Sequence, residues 1–363
     1  MRTWARRFSQ AGLASLAGAA LRLRESGAPI RVGWVAADTL HGGTRRLSLL
    51  HPPVSMRITN TAFWVNGRSA RVRNELYRPG RGYDVVVFFK AMDAQCQAEA
   101  ARIKDRGGKV VFDANVNYYE VWGDYEVDGT EPTPEQQRDA RAMTSLADHV
   151  VADSSYLLGV VAPLNANASW IPDNVDIGLY RGTRAHRQGR PLRLVWSGVA
   201  QKAHHLLDVA DVLASVAELE LVLVSDRPPE AMRRLSEALP CRFVRFSDPR
   251  YAATLRRCDV IVSPKRLVNA YEVAHTEYKI TLGMAVGLPA LASPQQSYVE
   301  AIGHAGGGIV AREPAEWRTG LERLRDDPPY RAELGARAQR TVRERYSTPV
   351  VAKQYLDLIE SLA

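Results

Sequence analysis

Thr276-Glu277-Tyr278-Lys279-Ile280-Thr281-Leu282-Gly283-Met284-Ala285-Val286-Gly287-Leu288-Pro289-Ala290-Leu291-Ala292-Ser293 runs from a polar turn into a short apolar helix, breaks at Gly-Leu-Pro, and resumes as a buried strand over Ala290–Ala292. Gly287 suits the positive φ that closes a helix, and Pro289 blocks its continuation. The first amide N–H groups of such a helix have no partner within it, so its start near Thr276 offers an anion site. A helix–turn–strand unit of this kind is a building block of α/β proteins.

On the amino-terminal side of this stretch, apolar runs alternate with helical patterns. Ile30–Ala36 and Val85–Phe89 are continuous apolar runs, as strands buried on both faces require. Ala94–Asp105 reads as a helix, residues 109–112 as a strand, 140–147 as a helix and 150–151 as a strand, with 125–136 a loop. Residues 172–189 read as a linker. The scheme then repeats: strands at 192–196, 219–224, 242–246 and 260–262, helices at 204–216, 229–239 and 251–257, and a last helix at 350–362. Such alternation predicts parallel, doubly wound sheets. At 363 residues the chain suits two domains. We place them at 1–175 and 176–349, with a basic helix over 1–28 opening the first and 350–363 crossing back to it.

The net charge is +8. Its basic residues are scattered among carboxylates with no aromatic interleaving, which argues against nucleic acid as partner and for small anions or an anionic membrane surface. The three cysteines, Cys96, Cys241 and Cys258, have neither disulfide-framework nor zinc-site spacing and fit a reducing, cytoplasmic setting. Arg2, Arg6, Arg7, Arg22 and Arg24 flank an apolar face with Leu13, Leu16, Ala20 and Leu21. This reads as an amphipathic helix, either packed on the protein or touching the inner face of a membrane.

The second half resembles the group 1/group 4 glycosyltransferases in a shared order of short motifs. Ile171-Pro172-Asp173-Asn174-Val175-Asp176 resembles the crossing into the donor domain, and Ser197-Gly198-Val199-Ala200-Gln201-Lys202 the strand–Gly–loop–Lys element. Residues 246–264 resemble the wall around base and ribose, and 276–293 the donor helix. Glu316-Trp317, Asp326-Asp327-Pro328, Gly335 and Tyr346-Ser347 resemble the closing helices. The first half is less similar, although residues 147–155 match a family strand and His41-Gly42-Gly43-Thr44 stands where the family has a Gly-Gly loop. The resemblance implies the GT-B fold, two Rossmann-like domains facing each other across a cleft. It implies transfer of a sugar from a nucleotide-diphospho-sugar to an acceptor hydroxyl, with retention, in glycan, glycolipid or glycosylated-metabolite synthesis. The partners would be the nucleotide sugar and a glycan, lipid-linked or small-molecule acceptor. No cofactor or metal is expected.

The residues assigned to catalysis on this reading are Lys202, Glu277 and Asn115. Those assigned to substrate binding are Gly42, Gly43, Asp113, Asn117, Ser197, Gly198, Thr276, Lys279, Ser297 and Tyr298. Lys202 and Lys279 would neutralise the leaving diphosphate, and Gly198 would let the backbone come close to it. Asp113, Asn115 and Asn117 follow a strand's carboxyl end, where open α/β sheets bind ligands. The sequence departs from the family at the acid pair: Leu282 and Ala274 occupy the positions of the two glutamates, leaving Glu277 and Glu272 as replacements. That departure keeps two alternatives open, another GT-B enzyme (an inverting transferase or an epimerase) and a degenerate protein that binds nucleotide sugar or a partner without turnover. His204-His205 invites a metal reading, but adjacent helical residues do not face one way, so the pair is expected to be a poor chelate.

Overall fold

Ile30–Ala36 forms a strand whose last five residues are buried, the first of twelve parallel strands among the residues the structure describes. The structure is a computed structural model describing residues 28–36, 55–187, 189 and 191–363. The basic segment before residue 28 and the loop with Gly42 and Gly43 lie outside the described residues.

The chain divides into two units, residues 1–120, 132–174 and 348–363 on one side and 121–131 with 175–347 on the other. In the first unit β1 (Ile30–Ala36), β2 (Val72–Leu76), β3 (Val85–Phe89), β4 (Lys109–Ala114), β5 (His149–Ala152) and β6 (Ala168–Trp170) form one sheet in the order β2-β1-β3-β4-β5-β6. All pairings are parallel. Every residue of β3 is buried, as a central parallel strand covered on both faces must be. Around the sheet lie α1 (Asn60–Asn66), α2 (Ala94–Asp105), α3 (Pro134–Leu146) and α4 (Ser155–Val161).

In the second unit β7 (Leu192–Ser197), β8 (Leu219–Ser225), β9 (Cys241–Arg245), β10 (Val260–Ser263), β11 (Ala290–Ala292) and β12 (Gly308–Val310) take the order β12-β11-β10-β7-β8-β9. Counted from β7, that is the 3-2-1-4-5-6 order of nucleotide-binding sheets, and its direction of winding reverses between β7 and β10. A 3-10 helix, Ala200–Val209, leads into α5 (Ala210–Ser215). Then follow α6 (Met232–Ala238), α7 (Asp248–Leu255), α8 (Ala270–Ala274), α9 (Tyr278–Ala285), α10 (Gln296–Ala305), α11 (Pro314–Asp326) and α12 (Pro328–Thr341). The last helix, α13 (Thr348–Leu362), belongs to the first unit, where Val351, Ala352, Tyr355 and Ile359 share a core with Val32, Trp34 and Val87.

The opening stretch folds as its residues require. Gly287 has φ 82° just past α9, and Ala290–Ala292 is buried throughout.

Two expectations are corrected. The loop read at 125–136 is shorter, because α3 starts at Pro134. Thr133 and Gln136 form a reciprocal capping box there, and Pro134 sits at the first helical positions, where its missing N–H costs nothing. The single helix read at 204–216 is instead the 3-10 segment followed by α5.

Candidate active site

The switch point between β7 and β10 carries a cluster of cations around one carboxylate. Lys202 sits on the 3-10 helix after β7, and its Nζ donates to Glu272 Oε1 at 3.2 Å and to Tyr271 Oη at 3.2 Å. Lys265 lies just past β10 and reaches Glu272 Oε2 at 3.0 Å. Glu272 is held in α8 by Asn269, whose side chain caps that helix through the Glu272 N–H at 2.8 Å. His205 Nε2 lies 3.9 Å from Glu272 Oε1. Lys202, Lys265, His205 and Glu272 are all buried.

Lys279, in the first turn of α9, completes the cluster. Its ammonium lies 5.5 Å from the centre of the Trp196 ring. A Cβ at Gly198 would come within 3.2 Å of Lys279 Nζ and 3.0 Å of the Trp196 ring, so a side chain there would crowd both. Among the described residues Lys279 makes no ion pair.

Electrostatics follow from this crowding. Burial lowers the pKa of Lys202 despite Glu272. Burial also brings Lys265 down to about 8, with Lys202 pushing the same way and Glu272 opposing. Lys279 is lowered by burial and by the two neighbouring lysines, and His275 likewise. Burial would raise Glu272, but Lys265, His205 and Lys202 outweigh it and hold the carboxylate well below its usual range. Three lysines thus share one carboxylate, and an anion entering the cluster would relieve the repulsion among them.

The other assigned residues sort themselves by what they touch. Thr276 is buried at the approach to α9. Ser297 Oγ donates to the His275 carbonyl at 2.8 Å and accepts from Gln295 at 3.1 Å, so it fixes the turn before α9. Ser197 accepts a hydrogen bond from the Tyr251 hydroxyl at the end of β7. Tyr298 is turned inward: it is 0% exposed and its hydroxyl pairs with Ser263 Oγ at 2.9 Å. Glu277 is also 0% exposed, at the N-cap of α9, and its charge is felt by Tyr298 and Tyr346 in the core. The acid in the lysine cluster is therefore Glu272.

In the first unit, Asp113 does not project from its strand end as a ligand group would. It is 0% exposed, takes a hydrogen bond from Arg57 Nε at 3.0 Å and another from Tyr355 Oη at 2.6 Å. Arg57 also bonds Asp173 at 3.0 Å and the Ile171 carbonyl at 3.1 Å. Asn117 is a turn former, accepting from the Tyr119 N–H at 3.2 Å and donating to Glu120 at 3.0 Å. Asn115 Nδ2 donates to Asp153 at 2.9 Å. Burial, with Asp173, raises the Asp153 carboxyl well above its usual value, against the pull of Arg57 and Lys90.

Lys265, Tyr271 and His275 were missed by the sequence reading. Ser263-Pro264-Lys265 carried a usable signal, a lysine two residues past a buried strand next to the switch point.

The argument from α-helical geometry for His204-His205 does not apply, because the pair lies on the 3-10 helix. The rings stack with centroids 4.1 Å apart, and with Glu126 they form a group whose donor atoms lie within 4.8 Å of one another.

Comparisons with known proteins agree with this architecture. Residues 192–327 match the model of the family described as "Glycosyl transferases group 1". No curated protein matches the chain in sequence. Among solved structures, Anabaena HepE in complex with UDP is 15% identical, with a TM-score of 0.63, over 92% of this chain and 100% of that one. A glycosyltransferase from Rickettsia africae is 12% identical, with a TM-score of 0.65, over 93% and 99%. A variant of S. aureus TarM, solved with fondaparinux, α-GlcNAc-glycerol and UDP, is 11% identical with a TM-score of 0.56; the match covers 76% of this chain and only 55% of TarM. The chain has the GT-B fold, and residues 192–327 of its second unit match the group 1 glycosyltransferase family.

Proposed function

We propose that the protein is a glycosyltransferase that moves a sugar from a nucleotide-diphospho-sugar to an acceptor hydroxyl. The observation that carries this reading is the set of lysines converging on Glu272 at the switch point of a nucleotide-binding sheet. Cleavage of the bond between the anomeric carbon and oxygen leaves its electron pair on the β-phosphate oxygen. Lys202, Lys265 and Lys279 supply the positive charge there, in a buried setting where each is worth more than in water. Gly198 lets the phosphates approach the strand end. Glu272 is the acid best placed to accept a hydrogen bond from a donor hydroxyl, in the role the sequence reading gave to Glu277.

Retention of configuration, with the departing phosphate assisting the acceptor's deprotonation, is the finer reading, and the lysines meet the charge without calling on a metal. HepE and TarM were solved with UDP, so a uridine diphosphate sugar is the first donor to try. The first unit would hold a glycan, lipid-linked or small-molecule acceptor. Incubation with UDP-glucose, UDP-GlcNAc and GDP- and ADP-sugars should release nucleoside diphosphate from at least one. Failure of every donor to bind or turn over would sink the proposal.

No helix among the described residues is long and apolar enough to cross a membrane. The five arginines before residue 25 support a peripheral cytoplasmic location on an anionic inner face. Vesicle co-sedimentation should rise with anionic lipid and fall on deletion of residues 1–24. Equal, weak binding by both proteins at low salt would count against membrane contact.

A further inference from the structure

Residues 121–131 fold with the second unit, laid along the residues that lead into α8. Gly123 bridges Asn269, the Asp124 N–H donates to the Val268 carbonyl at 3.2 Å, and the Ala270 N–H donates to the Trp122 carbonyl at 3.2 Å. Asn269 Nδ2 donates to the Asp124 carbonyl at 2.7 Å, while its Oδ1 accepts from the Glu272 N–H at 2.8 Å. One side chain therefore ties this strip to the helix that carries Glu272. Gly123 makes the close approach possible: its φ is 81°, and a Cβ there would fall 1.8 Å from the Val268 carbonyl oxygen.

That framework leaves Trp122 in solvent. It is 42% exposed, whereas the other described tryptophans are buried or half-buried. Among the described residues its ring stacks on no aromatic group or cation, and its indole N–H has no acceptor. Val121 and Val268, on the two paired strips, are exposed as well. A large apolar surface held in water on a fixed support marks a binding site.

The charge around the ring selects its occupant. Residues 121–131 carry Asp124, Glu126, Asp128 and Glu131 and no lysine or arginine, in a chain of net charge +8. Such a strip repels an anionic membrane surface and nucleic-acid phosphates alike. The Asp124 carboxylate is exposed and has no hydrogen-bond partner among the described residues. A neutral polyhydroxyl ring suits both groups: its C–H face meets the electron-rich face of the indole, and its hydroxyls donate to the carboxylate. The lysine cluster is buried and Trp122 is not, so a sugar seated on Trp122 stays outside the place of the diphosphate. Building on the glycosyltransferase reading, we propose that Trp122 and Asp124 hold a pyranose ring of the acceptor, so that the acceptor is a glycan.

Full-length protein labelled with fluorotryptophan gives one fluorine resonance per tryptophan, and the one missing from Trp122→Leu belongs to Trp122. In the absence of nucleotide, at least one of maltotriose, cellotriose and chitotriose should move that resonance at millimolar concentration, and open-chain sorbitol should not. Ligand-observed saturation transfer should show Trp122→Leu weakening this binding about tenfold, the scale of a lost aromatic stack, while Trp122→Phe keeps most of it. Leucine preserves apolar area without a π face, so equal binding by Trp122→Leu and wild type would overturn the proposal. So would a Trp122 resonance that no trisaccharide moves, or one that shifts only with phospholipid vesicles. UDP titration of the same wild-type sample reads the lysine cluster separately. UDP binding without a sugar shift defeats the Trp122 site alone, and a sugar shift without UDP binding defeats the donor site alone.

Discussion

Near the carboxyl ends of β4, β5 and β6 the first unit gathers Asp113, Asp153 and Asp173 around Arg57 and Lys90, whereas at the carboxyl ends of β7 and β10 the second gathers Lys202, Lys265 and Lys279 around Glu272. The two sheets share an architecture but carry opposite surplus charge at this edge. In the first unit Asp113 is shared between Arg57 and Tyr355, and Arg57 spends its other hydrogens on Asp173 and the Ile171 carbonyl. Those bonds tie α13, β4 and the 171–173 segment together. In the second, Glu272 has two oxygens for three lysines, and Lys279 is left over. Breaking a buried ion pair whose bonds run between elements of the fold costs stability, whereas a buried lysine with no ion pair can take its counter-charge from a bound anion.

This contrast is broken or sharpened by mutation. The largest effect on folding should come from Arg57→Ala, which strands Asp113 and Asp173 in the core and should cost about 3–5 kcal/mol. Denaturant titration reads it out, and a loss under about 1 kcal/mol would mean the cluster is not a structural tie. Lys202→Ala should do the reverse. Turnover should fall roughly 100- to 1,000-fold, on the scale of removing one donor to a developing anion, while stability changes far less. Unchanged turnover in a folded variant would remove Lys202 from the site.

Smaller effects separate the two acids. Glu272→Gln should lower turnover about tenfold or more, because its carboxylate organises Lys202 and Lys265, whereas Glu277→Gln should act mainly on stability. If Glu277→Gln loses donor affinity and Glu272→Gln does not, the assignment of Glu272 is wrong. The smallest effect is on pH. Burial holds Lys265 at about 8, and a bound diphosphate raises it. The complex therefore takes up a proton, and affinity should fall as pH rises through 8, by at most about tenfold per pH unit for one proton. Lys265→Met should flatten that dependence in calorimetric titrations.

Much of this was legible in the sequence. The central strands β1, β3, β7, β8 and β10 announce themselves as apolar runs because they are buried on both faces. The strands that went unread, β2, β6 and β12, lie at sheet edges. There one side is solvated, and runs such as Val72–Leu76 keep polar residues. The structure brings together Lys202, Gly198 and Lys279, which the sequence singled out because each stands at a fixed place beside a strand or helix end. Asp113 and Tyr298 were misjudged because a polar residue at a strand end looks the same whether it faces a ligand or, as with Arg57 across 56 residues of chain, a buried partner. Glu272 was left as the second choice because its value depends on Lys265, which only the folded sheet brings beside it.

The most direct test of the central claim is calorimetric titration of the wild-type protein with UDP and UMP at pH 7, repeated on Lys202→Ala. If the lysine cluster is a diphosphate site, UDP should bind at least about tenfold tighter than UMP, a difference of about 1.4 kcal/mol. Lys202→Ala should erase most of that margin. Equal affinity for UDP and UMP, or a margin untouched by Lys202→Ala, would contradict the account.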